Sequence, residues 1–226
     1  MLKTDLFEEA FGEDQFLPGL FPDARLTCGI DEAFSTVRSA ASRFPSIAAG
    51  LAVMDIRQPA WRAESFDLVI STSTLDHFDR RDDFVGALSA ITELIRPGGV
   101  LILTLDNPLN PLFHLLRWLS RTRYAPFPLG YTPTITTLRR DIQSCGFNVQ
   151  DQDWLIHNPR GLSTALFVCL AKLLGSRADP IIAALLAAFG LFGALPTRRF
   201  TASFQAVAAI KLPAGSAQTP FARSIE

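Results

Sequence analysis

Short apolar runs alternate with amphipathic stretches along this chain. "ARLTCGI" (Ala24–Ile30), "GLAVM" (Gly50–Met54), "SFDLVIS" (Ser65–Ser71) and "VLILTLD" (Val100–Asp106) read as strands. The last is close to continuously apolar, as befits a parallel sheet covered by helices on both faces. "EAFSTVRSAASRF" (Glu32–Phe44) places Phe34, Val37, Ala40 and Ala41 at helical spacing, and Pro45 stops it. "DDFVGALSAITELI" (Asp82–Ile95) has Phe84, Leu88, Ile91 and Ile95 on one stripe, and Asp79 or Asp82 is positioned to cap it. "RPGG" (Arg96–Gly99) then ends the helix. Further on, the pattern predicts a helix over Thr134–Gly146, a strand in "FNVQDQDWLIH", two apolar helical segments at Leu162–Leu174 and Ile181–Leu195, and a closing strand at Thr201–Leu212. The expected fold is α/β: a doubly wound, mostly parallel sheet with a helical insertion before a final antiparallel strand.

Composition narrows the class. With 226 residues, 48% of them apolar, the chain is read as one domain over 1–226, with an insertion at 162–195 and a polar tail at 213–226. A net charge of −1 offers no electrostatic case for nucleic acid as a partner. Cys28, Cys145 and Cys169 lie far apart, which argues against a disulfide framework or a structural metal site and fits a reducing, cytoplasmic setting. "MLKTDLFEEAFGED" is acidic and does not read as a secretory leader, and no unbroken apolar run reaches the roughly 18–20 residues of a spanning helix.

Candidate chemistry collects where the strands end. Asp31, Asp55, the polar run Ser71–His77 and the pair Asp106–Asn107 each follow a strand, and open parallel sheets bind ligands at the carboxyl ends of their strands. A carboxylate there suits a ribose diol, because each oxygen accepts a hydroxyl hydrogen. The same carboxylates also suit capping of the next helix, so both readings stand. Asp76 and His77 admit proton transfer to or from an acceptor, or a local turn at the rim. His157 and His114 read as structural or surface residues, and Cys145 as a buried thiol.

From Gly29 to Asn107 the chain resembles the class I S-adenosylmethionine-dependent methyltransferases that act on small molecules. The resemblance rests on "GIDEAFSTVRSAASRFP", "VMDIRQP", "SFDLVISTSTLDHF" and "LSAITELIRPGGVLILTLDN", with "LIRPGGVL" (Leu94–Leu101) its most characteristic turn. It implies S-adenosylmethionine as cofactor and a small-molecule acceptor. It further implies that Asp31 holds the ribose, that Asp55 and the Ile56 amide hold the adenine, and that Ser71, Thr72, Ser73 and Thr74 lie beside the methionine part. The family usually opens with a central strand and a glycine-rich loop led by a carboxylate. Here the strand is reduced to Met1–Thr4, Asp5 stands near the carboxylate position, and the next glycine is Gly12. Either the chain as given starts late or this lineage uses a modified loop, and weaker cofactor binding than in a complete member is the expectation.

Two functions follow: methyl transfer to a small, apolar acceptor, or a methyltransferase-like binding protein that has lost its cofactor loop. A nicotinamide enzyme needs G-x-G-x-x-G between strand and helix, which is absent from this sequence. Ile181–Leu195 carries no charge and would be about 22 Å long as a helix. The segments at 162–195 are read as a hairpin packed over the domain or in a homodimer, as a peripheral membrane contact, or as a lid over an apolar acceptor.

Overall fold

In a computed structural model of the protein, residues 1–12, 17, 26–121, 129–159, 161–213 and 215 are described. Ala24 and Arg25 of the first predicted strand, and nearly all of the polar tail, lie outside the described residues. The strands are β1 (Leu2–Lys3), β2 (Cys28–Asp31), β3 (Leu51–Val53), β4 (Phe66–Thr72), β5 (Ile95–Asp106), β6 (Phe147–Leu155) and β7 (Phe204–Lys211). They form one sheet in the order β3-β2-β1-β4-β5-β7-β6. β1 to β5 pair in parallel, while β7 runs antiparallel to both β5 and β6. The carboxyl ends of the first six strands and the start of β7 therefore share one rim. The mostly parallel sheet and the reversed final strand are as the sequence predicts.

The helices are α1 (Phe7–Phe11), α2 (Phe34–Arg43), α3 (Arg81–Glu93), α4 (Pro111–Ser120), α5 (Ile135–Ser144), α6 (Leu162–Leu174), α7 (Ala178–Gly190) and the short α8 (Arg198–Thr201). α3 buries Phe84, Leu88 and Ile91 against the sheet, the stripe predicted for it. Its start differs from expectation. The cap position is Arg80, which offers no acceptor side chain, and Asp82 and Asp83 instead sit in the first turn, where they favour the helix dipole. The Arg96–Gly99 turn is already part of β5, not a helix end. Gly98 has φ +77°, and a Cβ at Gly99 would meet Ile95 Cγ2 at 2.7 Å and the Arg96 carbonyl at 2.9 Å, so the turn needs both glycines.

β1 is two residues long yet sits between β2 and β4. Its register pairs Leu2 with Cys28 and Val69. Lys3 is fully buried, and its Nζ lies 2.7 Å from Oε2 of Glu9, also fully buried on α1. The same ammonium donates to the Asp5 carbonyl, and Glu9 Oε1 accepts from the Leu17 amide at 3.3 Å. An ion pair thus folds α1 back on the central strand where the family commonly has a glycine-rich loop. Removing one partner of a buried pair strands the other charge, at about 3–5 kcal/mol. Lys3→Met is therefore expected to lower the unfolding free energy by that order in denaturant titration. The double variant Lys3→Met/Glu9→Met should recover more than half of it; a double variant as unstable as the sum of the singles would contradict the pairing.

Candidate active site

A cleft of about 180 Å³ opens at the rim, lined by Thr4, Asp5, Ile30, Asp31, Glu32, Met54, Asp55, Ile56, Thr74, His77 and Phe78. Four consecutive sheet positions, β3, β2, β1 and β4, deliver those residues, so the parallel register itself gathers carboxylates that are distant in sequence. Asp31 Oδ1 accepts from the Ala33 amide at 2.8 Å, and Oδ2 accepts from the Leu6 amide at 3.2 Å. Each oxygen retains an acceptor site for a diol. Asp55 is gripped by Arg57 at 2.6 Å, which holds its carboxyl below the usual range. The Arg57 guanidinium also lies 5.4 Å from the centre of the Phe78 ring, linking both to the cleft wall. Asp5 accepts from the Phe7 amide at 2.6 Å. Burial pushes its carboxyl up, and Asp31 adds to this, against the pull of the Phe7 amide, Lys3 and His77.

The polar end of β4 divides in two. Thr74 and His77 line the cleft; Ser71, Thr72 and Ser73 do not. Ser71 is fully buried and accepts from Thr4 Oγ1 at 2.8 Å, while Thr4 Oγ1 lies 3.0 Å from Thr74 Oγ1. These hydroxyls lace the end of β1 to the end of β4. Ser73 leaves the sheet at φ +46°, with its amide donating to the Thr104 carbonyl at 2.9 Å. Asp76 is buried on the β5 side. Its Oδ2 accepts from the Asp106 amide at 2.7 Å, and its Oδ1 has no partner. Burial, and then the Asp106 carboxylate, push Asp76 up to about 6. Asp76 therefore ties β4 to β5 and does not face the cleft, unlike His77.

Gly130, Tyr131 and Gln205 were not among the sequence candidates, whereas Asp106 and Asn107 were. Gly130 donates to the Asp76 carbonyl at 2.7 Å, and Tyr131 donates to the Phe78 carbonyl at 2.6 Å. A Cβ at Gly130 would lie 2.3 Å from the Phe78 carbonyl oxygen, so only glycine allows this approach. A glycine in a Pro- and Gly-containing stretch was the only available hint. Asn107 Nδ2 donates to the Arg199 and Ala202 carbonyls, and Gln205 donates to Asp106 and Pro133, closing the rim near β7. His157 lies 2.8 Å from Thr201 Oγ1, a structural contact, and His114 is exposed. Cys145 is half-buried and not a full core residue.

This strand order, with a reversed seventh strand, is that of the class I S-adenosylmethionine-dependent methyltransferase fold. Residues 10–103, somewhat under half of the chain, match a family described as a methyltransferase domain. Among solved structures, a methyltransferase of Methanosarcina mazei is 14% identical, covering 93% of this chain and 91% of its own, with TM-score 0.60. The N-methyltransferase NodS of Bradyrhizobium japonicum, solved with S-adenosyl-L-homocysteine, is 15% identical over 94% and 76%, with TM-score 0.55. The [4+2]-cyclase SpnF is 17% identical over 93% and 74%, with TM-score 0.57. At such identities the likeness establishes the fold. No curated protein matches the sequence at a significant level.

Asp76 supplies a test of the site's internal electrostatics. A folded-state pKa raised from 3.8 to about 6 stabilises below pH 4 and loses that contribution as pH rises through 6. The two-unit difference limits the effect to about 3 kcal/mol. Relative to Asp76→Asn, the wild type is expected to lose stability by up to that amount between pH 4 and pH 7. Parallel pH profiles for the two proteins would refute this placement.

Proposed function

We propose that the chain transfers the methyl group of S-adenosylmethionine to a small, mainly apolar acceptor at the rim beside His77 and Phe78. The observation that carries this reading is the single cleft ringed by Asp5, Asp31 and Asp55 from adjacent parallel strands. The residues present suit the cofactor. Free acceptor sites on Asp31 suit the ribose diol. Asp55 and the Ile56 amide suit a purine edge, and Ile30, Met54, Ile56 and Phe78 supply apolar walls. Asp5, whose carboxyl burial raises despite Lys3 and His77 nearby, suits a cationic group.

Bound there, S-adenosylmethionine supplies an electrophilic methyl on a sulfonium that needs no further activation. The chain's own task is then to orient an acceptor and accept its proton. An imidazole at the rim is suited to hold that proton near neutral pH, which assigns the role to His77. Ligand sites usually begin at roughly 300 Å³, so a cofactor-sized occupant of this cleft stays partly exposed or displaces Arg57.

The second reading, a binding protein without catalysis, draws on the engagement of Asp55 by Arg57 and of Asp31 by two backbone amides. Calorimetric titration with S-adenosylmethionine separates the two. We expect binding that weakens about tenfold or more in Asp31→Ala, the loss of two hydrogen bonds to a charged group. An unchanged dissociation constant in folded Asp31→Ala would remove the ribose assignment. The raised Asp5 carboxyl adds a sign: a cationic ligand favours its ionised form, so affinity should rise with pH through that titration. Proton release, measured in buffers of different ionisation enthalpy, reports it directly; uptake or no exchange would count against Asp5.

A further inference from the structure

The connection from β6 to β7 is the hairpin α6–α7, bent at Gly175 with φ +56°. The two helices pack on each other, and between them only Ser163 and Ala178 are fully buried. Leu173 is 75% exposed, Leu162 67% and, just past α7, Leu191 71%. The 33 residues Leu162–Ala194 are apolar and long enough to cross a membrane by composition and length alone, and 6% of their most apolar stretch is buried. Residue-by-residue reading of apolar runs does not credit this. The bend decides the geometry, since each thirteen-residue arm reaches about 20 Å, short of the ~30 Å hydrocarbon core.

Three features favour a lipid surface over a protein partner. First, the exposed apolar residues encircle the arms. Leu166, Val168 and Leu174 point to three different sides of α6 at 3.6 residues per turn. A second copy covers one side of a helix pair, whereas the headgroup–acyl boundary of a bilayer wraps more of its circumference. Second, charge clusters at the ends and is one-sided. From Trp154 to Phe200 the chain has five cationic residues and one anionic residue, Asp179. Lys172 and Arg177 flank the bend, and Arg199 stands at the base beside Arg198, which pairs with Asp153 at 3.2 Å. That pattern complements anionic headgroups. It also lays the hairpin along the surface, because an upright one would drive Lys172, Arg177 and Asp179 into hydrocarbon. Third, α4 continues the surface: Gly161, at the start of α6, lies beside Leu116, and α4 exposes Leu115, Leu119 and Trp118, the last an interfacial residue type.

The hairpin is rooted where β6 ends and β7 begins, with Leu155 and Asp106 both paired to Phe204. That is the rim of the cleft. We propose that α6–α7, with the exposed edge of α4, embeds along the surface of an anionic bilayer, and that the acceptor is an amphiphile drawn from that bilayer. The acceptor half rests on the methyl-transfer reading above; the embedding half does not.

The test uses the full chain in flotation with phosphatidylcholine vesicles, with and without phosphatidylglycerol. Sedimentation velocity without lipid and S-adenosylmethionine titration accompany it. The wild type should float, and more strongly with the anionic lipid. Leu173→Glu/Leu191→Glu, at the most exposed positions, should reduce partitioning about tenfold or more with cofactor affinity kept. Lys172→Glu/Arg177→Glu, in and beside the turn, should remove the preference for anionic lipid. A wild type that floats with neither vesicle overturns embedding, as does a lipid-indifferent dimer that the leucine variant dissociates. For the acceptor, methyl-labelled cofactor incubated with vesicles of extracted bacterial lipid should place label in the organic phase. Label confined to water-soluble product, or no transfer at all, overturns that half while vesicle binding stands.

Discussion

The buried pair between Lys3 and Glu9 is the constraint on which the site depends. A two-residue central strand holds few ladder hydrogen bonds of its own. The ammonium in its middle is shut away from water, where an unpaired charge is intolerable. Glu9 answers that charge and so determines where α1 lies. The chain between them, Thr4 to Glu8, has no freedom left, and its conformation carries Asp5 into the cleft and the Leu6 amide onto Asp31. A glycine-rich loop reaches a ligand by having no side chains in the way. Here the approach is set by a charge pair beneath the loop, and the bulky residues turn outward, as Phe7 and Phe11 do.

Around that anchor the rim is held by polar groups with two distinct duties. Ser71 and Asp76 satisfy partners in the interior, His77, Asp31 and Asp55 face the opening, and Thr4 and Thr74 do both. Both sets look alike along the chain because strand ends need polar residues in either case. The distinction between a lacing hydroxyl and a ligand-facing one arises only when β1 and β4 pair side by side. The Asp76–Asp106 pair belongs to the first set: two carboxyl groups in a dry space share the burden by keeping one of them protonated more readily than usual.

The hairpin reverses the ordinary relation between apolar sequence and burial. Elsewhere in the chain, apolar stripes such as that of α3 vanish into the core. In α6 and α7 almost every apolar side chain remains outside, which neither the sheet nor the neighbouring helices relieve. The two arms leave and return at the same edge of the sheet as the cleft, with β5 between their roots on β6 and β7 and the cleft-lining end of β4.

Much of the fold was legible in the sequence, because period and composition are local. The strand at Val100–Asp106, the stripe of α3, the two glycines at Gly98–Gly99 and the apolar character of 162–195 each follow from side chains within a few residues of one another. The carboxylates Asp31 and Asp55 were equally visible, as were Asp5 and His77, since each follows a strand. What tertiary structure decided was partnership across long sequence separations. Thr4 with Ser71, Asp76 with Asp106 and Gly130 with Phe78 are joined by the register of the sheet, and even the nearer pair Lys3 and Glu9 meets only because a helix folds back. Periodicity states which face a residue occupies; only the packed chain states what lies opposite that face, because the pairing energy of a buried charge or hydroxyl depends on groups the local sequence does not contain.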